Sequence, residues 1–200
     1  MNSSPVAAIR RRMKALADPG IAAHSQRFFK TGPGEYAQGD RFIGIRVPVL
    51  RKLATEQREL AIGDAEALLQ SKVHEERLLA LLILVLQYQR GDANVRKQVF
   101  DLYCGNLKHV NNGDLVDSSA HLIMGDYLRD RSRRLLHRLA RSQVLWERRV
   151  AVMSTLAYIR DDEFDETLTL AELLLEDEED LIHKAVGWML REVGNRNLAA

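Results

Sequence analysis

The sequence holds a single cysteine, Cys104, in 200 residues. No intrachain disulfide can form, and one chain cannot build a thiolate metal cluster. That usage suits a reducing cytoplasm. Proline occurs only at 5, 19, 33 and 48, so nothing beyond Pro48 forces a helix to break. No apolar run approaches the ~20 residues that a membrane helix needs. The longest, Leu78-Leu-Ala-Leu-Leu-Ile-Leu-Val-Leu86, reads as a buried core helix, and no membrane partner is expected. The N-terminal MNSSPVAAIRRRMK lacks the apolar core of a signal peptide. The histidines at 24, 74, 109, 121, 137 and 183 form no His-x-x-x-His pair and no metal-ligand cluster. Gly32-Pro-Gly34 lacks the lysine and the following helix of a phosphate-binding loop, and no Ser-His-Asp arrangement can be argued from spacing. No metal and no organic cofactor is expected.

What is present is typical of a soluble globular chain: 46% hydrophobic and 28% charged residues. Net charge is +1, which by itself speaks against nucleic acid. The distribution reopens the question. Residues 161–180 (DDEFDETLTLAELLLEDEED) hold 11 of the 28 acidic groups and no Lys or Arg. The other 180 residues carry 29 basic and 17 acidic groups, which permits a positive surface elsewhere. Ordinary solvated faces would account for the same numbers.

Apolar residues recur three or four apart with no sustained alternation, the pattern of helices. The spacing predicts helices over 5–17, 20–30, 48–60, 64–70, 74–90, 93–106, 114–128, 131–141, 144–160, 163–175 and 180–194. One long loop, 31–47, carries Pro33 and four glycines. Ser71 to Ala80 (SKVHEERLLA) aligns with Ser142 to Ala151 (SQVLWERRVA) as S-x-V-x-x-E-R-x-x-A. The offset is 71 residues, two units of about 35. Glu176 to Ala185 repeats the spacing with less similar chemistry. A unit of this size with two antiparallel helices marks an all-α helical-repeat solenoid, read here as a single domain over 1–200. Generic helix-bundle packing is the alternative. In the repeat register Arg149 and Lys184 are equivalent, Trp188 follows Lys184 by four residues, and Gly113 and Asp117 are also four apart. Asp117, Arg149, Lys184 and Trp188 are therefore expected on one concave groove.

Four segments carry a family resemblance: FIGIRVPVLRKLA (42–54), DLVDSSAHLIMGDYL (114–128), LWERRVAVM (145–153) and HKAVGWMLREVG (183–194). Together they resemble the AlkD-like DNA alkylation repair proteins, DNA glycosylases built from HEAT-like helical repeats. The likeness runs from about residue 25 to near the end, and KAVGWMLRE is its most specific stretch. It implies a protein that binds double-stranded DNA in its groove and releases positively charged N3- or N7-alkylated purines. It also implies a cytoplasmic location, the bacterial cytosol or nucleoid. A monomer is expected.

The resemblance assigns the catalytic carboxylate to Asp117, the second acid of D-L-V-D, and a groove arginine to Arg149 in Trp146-Glu-Arg-Arg149. One groove tryptophan falls on Trp188. The other falls on Gly113, where the family reads tryptophan, so one wall of the cleft is expected to be missing. Activity would then be lost, weakened or redirected toward bulkier adducts; a deliberately altered sequence is a further reading. The family also continues through a further helical element where this sequence stops at Leu198-Ala-Ala200, so an uncapped last repeat is expected.

Each residue also has a plainer reading. Asp117 is a first-turn acid complementing a helix dipole; Asp114 is the alternative for the catalytic carboxylate, but the expected geometry turns it away from the face of Gly113. Trp188 is a core tryptophan, or a ring offered to a cationic nucleotide. Arg149 grips a phosphate, or forms a salt bridge with Glu147 or Glu192. Lys184 is a weaker phosphate candidate. Arg10-Arg-Arg-Met-Lys14 and Arg129-Asp-Arg-Ser-Arg-Arg134 would add nonspecific attraction for DNA. The competing functions are a noncatalytic repeat module that binds DNA or protein and, third, a scaffold for protein partners.

Overall fold

Short polar residues and prolines set the first helix starts. In the computed structural model, which describes residues 4–197, Ser4 Oγ accepts the Ala7 N–H at 3.2 Å ahead of α1 (Pro5–Leu16). The Asp18 carboxylate accepts from Gly20 and Ile21 ahead of α2 (Pro19–Phe28). Both helices open on proline, whose missing N–H costs nothing there. The chain continues through α3 (Val47–Glu56), α4 (Ile62–Leu69), α5 (His74–Arg90), α6 (Ala93–Gly105) and a short α7 (Gly113–Asp117). A π-helical turn (His121–Gly125) precedes α8 (Arg134–Ala140), α9 (Leu145–Ser154), α10 (Leu156–Ile159), α11 (Asp165–Leu173) and α12 (Asp180–Arg196). Among the described residues there is no strand, only an isolated bridge between Arg41 and Val73. The all-α helical-repeat reading therefore holds. Leu198-Ala-Ala200, on which the expectation of an uncapped end rests, lies outside the described residues.

Two helices that periodicity predicts as continuous are broken. The expected helix 114–128 stops at Asp117, turns, and resumes as the π-helical turn. The expected helix 144–160 is interrupted at Thr155. The break at Thr155 adjoins a close approach. A Cβ on Gly125 would sit 2.2 Å from the Ser154 carbonyl oxygen, so the two backbones touch where only glycine fits. Ser154 Oγ donates to the Val150 carbonyl at 2.7 Å and Thr155 Oγ1 to that of Val152 at 2.8 Å. Such back-bonds compete with the helical ladder and bend it.

The chain divides into two compact units, Met1–Leu115 and Val116–Ala200. In the first, α5 is the core: every residue from Leu78 to Val85 is buried, packed by α3, α4 and α6. The preceding loop is tied to it by the buried Glu75, whose carboxylate accepts the N–H groups of Ile43 at 3.1 Å and Gly44 at 2.7 Å. In the second unit α9 plays the central part, packed by α8, α11 and α12, with Val150 to Ser154 buried.

The repeat is visible in its turn chemistry. Helices α5, α9 and α12 each begin after an extended residue: Val73, Val144 and Glu179. In each case the side chain two residues earlier accepts that residue's N–H, from Ser71 at 3.0 Å, Ser142 at 3.0 Å and Asp177 at 2.9 Å. The fourth residue of each helix then reaches back to the carbonyl of the same Ser or Asp: Arg77 at 3.0 Å, Arg148 at 2.9 Å and His183 at 2.6 Å. Orphan donors and acceptors at a helix entry need partners, and three units solve this in one way. The third unit thus belongs to the repeat, in the register Asp177 to Val186, one residue later than the Glu176 to Ala185 that the sequence spacing suggests.

Candidate functional site

The fifth residue of α9 is Arg149, and the fifth of α7 is Asp117. The structure brings these two together. Arg149 Nε donates to Asp117 Oδ1 at 3.0 Å and Nη2 to Oδ2 at 2.9 Å, a fork-to-fork pair. The third arm, Nη1, donates to the Leu181 carbonyl in the first turn of α12 at 2.6 Å. The guanidinium is thus spent on a carboxylate and a main-chain oxygen, with its side chain 9% exposed against 26% for that of Asp117. The pair therefore has one sheltered cation and one partly solvated anion. The arginine cannot swing without breaking three bonds, so the carboxylate plane is fixed.

Neither glutamate offered by the sequence is the partner of Arg149. Glu192 instead accepts the indole Nε1–H of the half-buried Trp188 at 3.1 Å, one turn along α12. Lys184 is exposed and pairs with Asp180 at 2.6 Å, which is worth little in water. In the structure, then, Asp117 and Arg149 form one cluster, while Trp188 and Lys184 each hold a neighbour on their own helix. A signal for the ion pair does exist in the sequence. In the S-x-V-x-x-E-R-x-x-A alignment Leu78 stands where Arg149 stands, and a cation at a position that is apolar in the sister repeat demands a buried partner.

Gly113 opens α7, its N–H accepted by the Asn112 side chain at 2.7 Å. A Cβ built there would meet nothing within 4 Å. Its backbone has no positive φ, so neither space nor conformation requires glycine.

The other acid of α7, Asp114, belongs to a chain of charges in the first unit. Its Oδ2 lies 2.8 Å from Nε2 of His74, the first residue of α5. The other ring nitrogen faces Asp40 Oδ2 at 3.5 Å, an ion-pair separation rather than a hydrogen bond. Asp40 in turn accepts from Arg77 Nη2 at 2.7 Å. Burial disfavours the imidazolium, but the two carboxylates outweigh it and hold the His74 pKa above its ordinary value. Burial likewise disfavours the Asp40 carboxylate; His74 and Arg77 outweigh it and lower the Asp40 pKa. His121 is the opposite case: burial, with Arg160 nearby, pushes it down to about 4.

The basic strings are largely paired. Arg10 meets Glu76 at 2.9 Å and Arg12 meets Glu56 at 2.5 Å. Arg129 pairs with Asp161, Arg133 with Glu163, and Arg133 also lies 3.8 Å from the centroid of the Tyr158 ring. Asp177, further along the acidic stretch, holds Arg148 at 2.6 Å. Much of the acidic segment is thus answered inside its own unit rather than left as a solvated face.

Residues 9–200 match the DNA alkylation repair enzyme family, and the chain belongs to it. Among solved structures it is similar to one described as a predicted DNA alkylation repair enzyme from Enterococcus faecalis. The two share 20% identity with a TM-score of 0.65, over 92% of this chain and 85% of that one. No curated protein matches.

Proposed function

We propose that the protein is a monofunctional DNA glycosylase that hydrolyses the N-glycosidic bond of N3- or N7-alkylated purines in duplex DNA. The observation that carries the reading is the oriented Asp117 carboxylate, pinned by Arg149 in a chain of the DNA alkylation repair family. Alkylation leaves the purine cationic, so it departs as a neutral base when the C1′–N bond breaks and takes the bonding pair with it. The sugar is left with oxocarbenium character. Asp117 stabilises that charge and orients the water that adds to C1′, the water's proton passing to the carboxylate or to solvent.

The other residues take supporting roles. Arg149 fixes the carboxylate through its fork, and its charge favours a nearby phosphate. Trp188 offers an amphipathic ring to the nucleotide or the backbone. Lys184 adds attraction for phosphate. Gly113 leaves room where the resemblance implies an aromatic wall. The chemistry calls for no metal and no cofactor, and the protein works as a monomer in the cytoplasm.

A second reading is a noncatalytic DNA-binding module. It is favoured by the same ion pair, because both Asp117 oxygens already accept from Arg149. One experiment separates the two. The protein is incubated with duplex DNA carrying N7-methylguanine, and freed base is quantified beside Asp117→Asn. Release by the wild type and its loss in the variant support the glycosylase. Salt-sensitive binding with no release by either establishes the module.

A further inference from the structure

Within the second unit, α8 buries Leu136, Leu139 and Ala140 and packs on α9 and α11. At about 100° per residue, those three positions share one side of the helix. Arg134, Arg138 and the C-cap residue Arg141 fall within about 60° of one another on the opposite side, and all three are exposed. This arginine side points away from α9, the helix that carries Arg149.

The other flank of the same basic run is already neutralised. Arg133 pairs with Glu163 at 2.7 Å, His137 lies 2.8 Å from Glu166, and Arg129 pairs with Asp161. All three carboxylates come from the acidic segment 161–180. Arg134 and Arg138 have no ion pair or hydrogen bond among the described residues. Arg141 spends one donor on the His137 carbonyl at 2.9 Å and lines a groove with Glu176, Glu178 and Glu179, so the acidic turn bounds that end of the stripe. Ahead of the helix, Arg131 stands over the Tyr127 ring at 4.1 Å and donates to the Tyr127 carbonyl at 2.6 Å. A guanidinium held in this way has less freedom to lose on binding an anion.

The chemistry of the stripe favours phosphate over an acidic protein. From Arg131 to Trp146 the sequence has no acid and no lysine. The planar fork of arginine matches a phosphate with two parallel bonds, which lysine cannot do. Protein partners are held mainly by apolar and aromatic anchors, and no large apolar side chain from Arg129 to Gln143 is exposed. A row of cations without such anchors suits a backbone whose binding is driven by release of counterions.

We propose that the arginine side of α8 is a second docking surface for duplex DNA, one that grips backbone phosphates without reading sequence and is separate from the Asp117–Arg149 cluster. Arg149 turns to Asp117 and to the Leu181 carbonyl of α12, whereas the stripe turns away from α9. The surface holds a neighbouring length of duplex, which keeps the protein on DNA between encounters. It stands on its own geometry, whether or not Asp117 is catalytic.

The test is an NMR titration of the full isotope-labelled chain with an undamaged duplex of about 12 base pairs, a little over one helical turn. The arginine Nε–H signals and the backbone amides of α8 and of Arg149 are followed together. The α8 signals are expected to keep moving after those of Arg149 have saturated, giving a second isotherm. Raising salt from about 50 to about 200 mM should weaken that second step by about tenfold to fortyfold, the fall expected for about two to three phosphate contacts. In the double variant Arg134→Gln/Arg138→Gln, whose exposed side chains support nothing else in the fold, the second step disappears. Signals of α8 that stay still at every ratio overturn the proposal, as does a second isotherm that survives in the double variant. Movement in step with Arg149 to a single one-to-one endpoint also overturns it, because one duplex then touches both. So does polyglutamate of equal total charge if it shifts α8 as strongly as the duplex, which makes the surface one for acidic protein. An Arg149 signal that never responds to DNA counts against the glycosylase reading, and the α8 isotherm still decides the second surface.

Discussion

Arg149 holds both oxygens of Asp117, at 3.0 and 2.9 Å, and ties the same guanidinium to the Leu181 carbonyl. A carboxylate offered to an electron-poor sugar must be both charged and aimed. A fork with all three nitrogens engaged supplies the aim at little conformational cost, because the guanidinium is rigid and planar. The same bond makes Asp117 and Arg149 a single unit, so their substitutions must not add.

A double-mutant cycle measures that unit. Asp117→Asn is expected to lower stability by about 1–3 kcal/mol, since it leaves the sheltered Arg149 without its counter-charge. Arg149→Met removes the cation and leaves the partly solvated Asp117, which water can serve, so its cost comes mainly from the lost Leu181 bond. The pair should show a coupling of about 0.5–3 kcal/mol in urea denaturation. Strict additivity would mean that the fork contributes nothing.

Gly113→Trp tests the missing wall. A Cβ there meets nothing within 4 Å, and leaving glycine removes a helix penalty of about 0.5–1 kcal/mol. The variant should melt within a few degrees of the wild type. If the aromatic face serves the nucleotide, release of N7-methylguanine rises by about tenfold to a hundredfold. Unchanged release with intact duplex binding would exclude position 113 as the limiting feature.

Stability should fall in mild acid because of His121. Its pKa is depressed to about 4 by burial, with a contribution from Arg160. A histidine with a folded pKa below its unfolded value of 6.5 binds fewer protons when folded. Its contribution is complete above pH 6.5 and is lost as pH falls toward 4. His74 has the opposite sign: its contribution is present below 6.5 and is lost as pH rises through its elevated folded pKa. His121→Asn should therefore flatten the acid side of the denaturation profile. Asp114→Asn should flatten the alkaline side.

Tyr158→Phe is expected to be neutral or stabilising. The hydroxyl of Tyr158 is buried with no hydrogen-bond partner among the described residues, and burial pushes its pKa up. Deleting an unsatisfied buried hydroxyl removes a desolvation cost of about 1–3 kcal/mol, while the ring face toward Arg133 remains. A midpoint lowered by more than about 1 kcal/mol in denaturant would show that the hydroxyl is satisfied in solution.

Much of this protein is legible one helix at a time. Apolar spacing marks the helices, and Pro5, Pro19 and Pro48 sit in first turns where proline is tolerated. The S-x-V-x-x-E-R spacing locates units whose entry bonds prove equivalent. These are interactions within a few residues, so a linear pattern can encode them. The candidate residues were also nameable, through a family likeness that the match over 9–200 bears out.

Pairing was decided elsewhere. Asp117 and Arg149 lie 32 residues apart, and Asp114 and His74 lie 40 apart. Their meeting depends on how whole helices dock. Glu147, two residues away, and Glu192, 43 away, are equal candidates for Arg149 by charge alone, because separation in sequence says nothing about direction in space. The interruption of helix 144–160 has the same origin, for no periodicity announces that Gly125 must admit the Ser154 backbone. By itself, the sequence determined helices, their repeat and a short roster of polar residues, because those follow from local periodicity. Only tertiary packing decided which charge faces which, because a hydrogen bond is met or missed over less than an ångström.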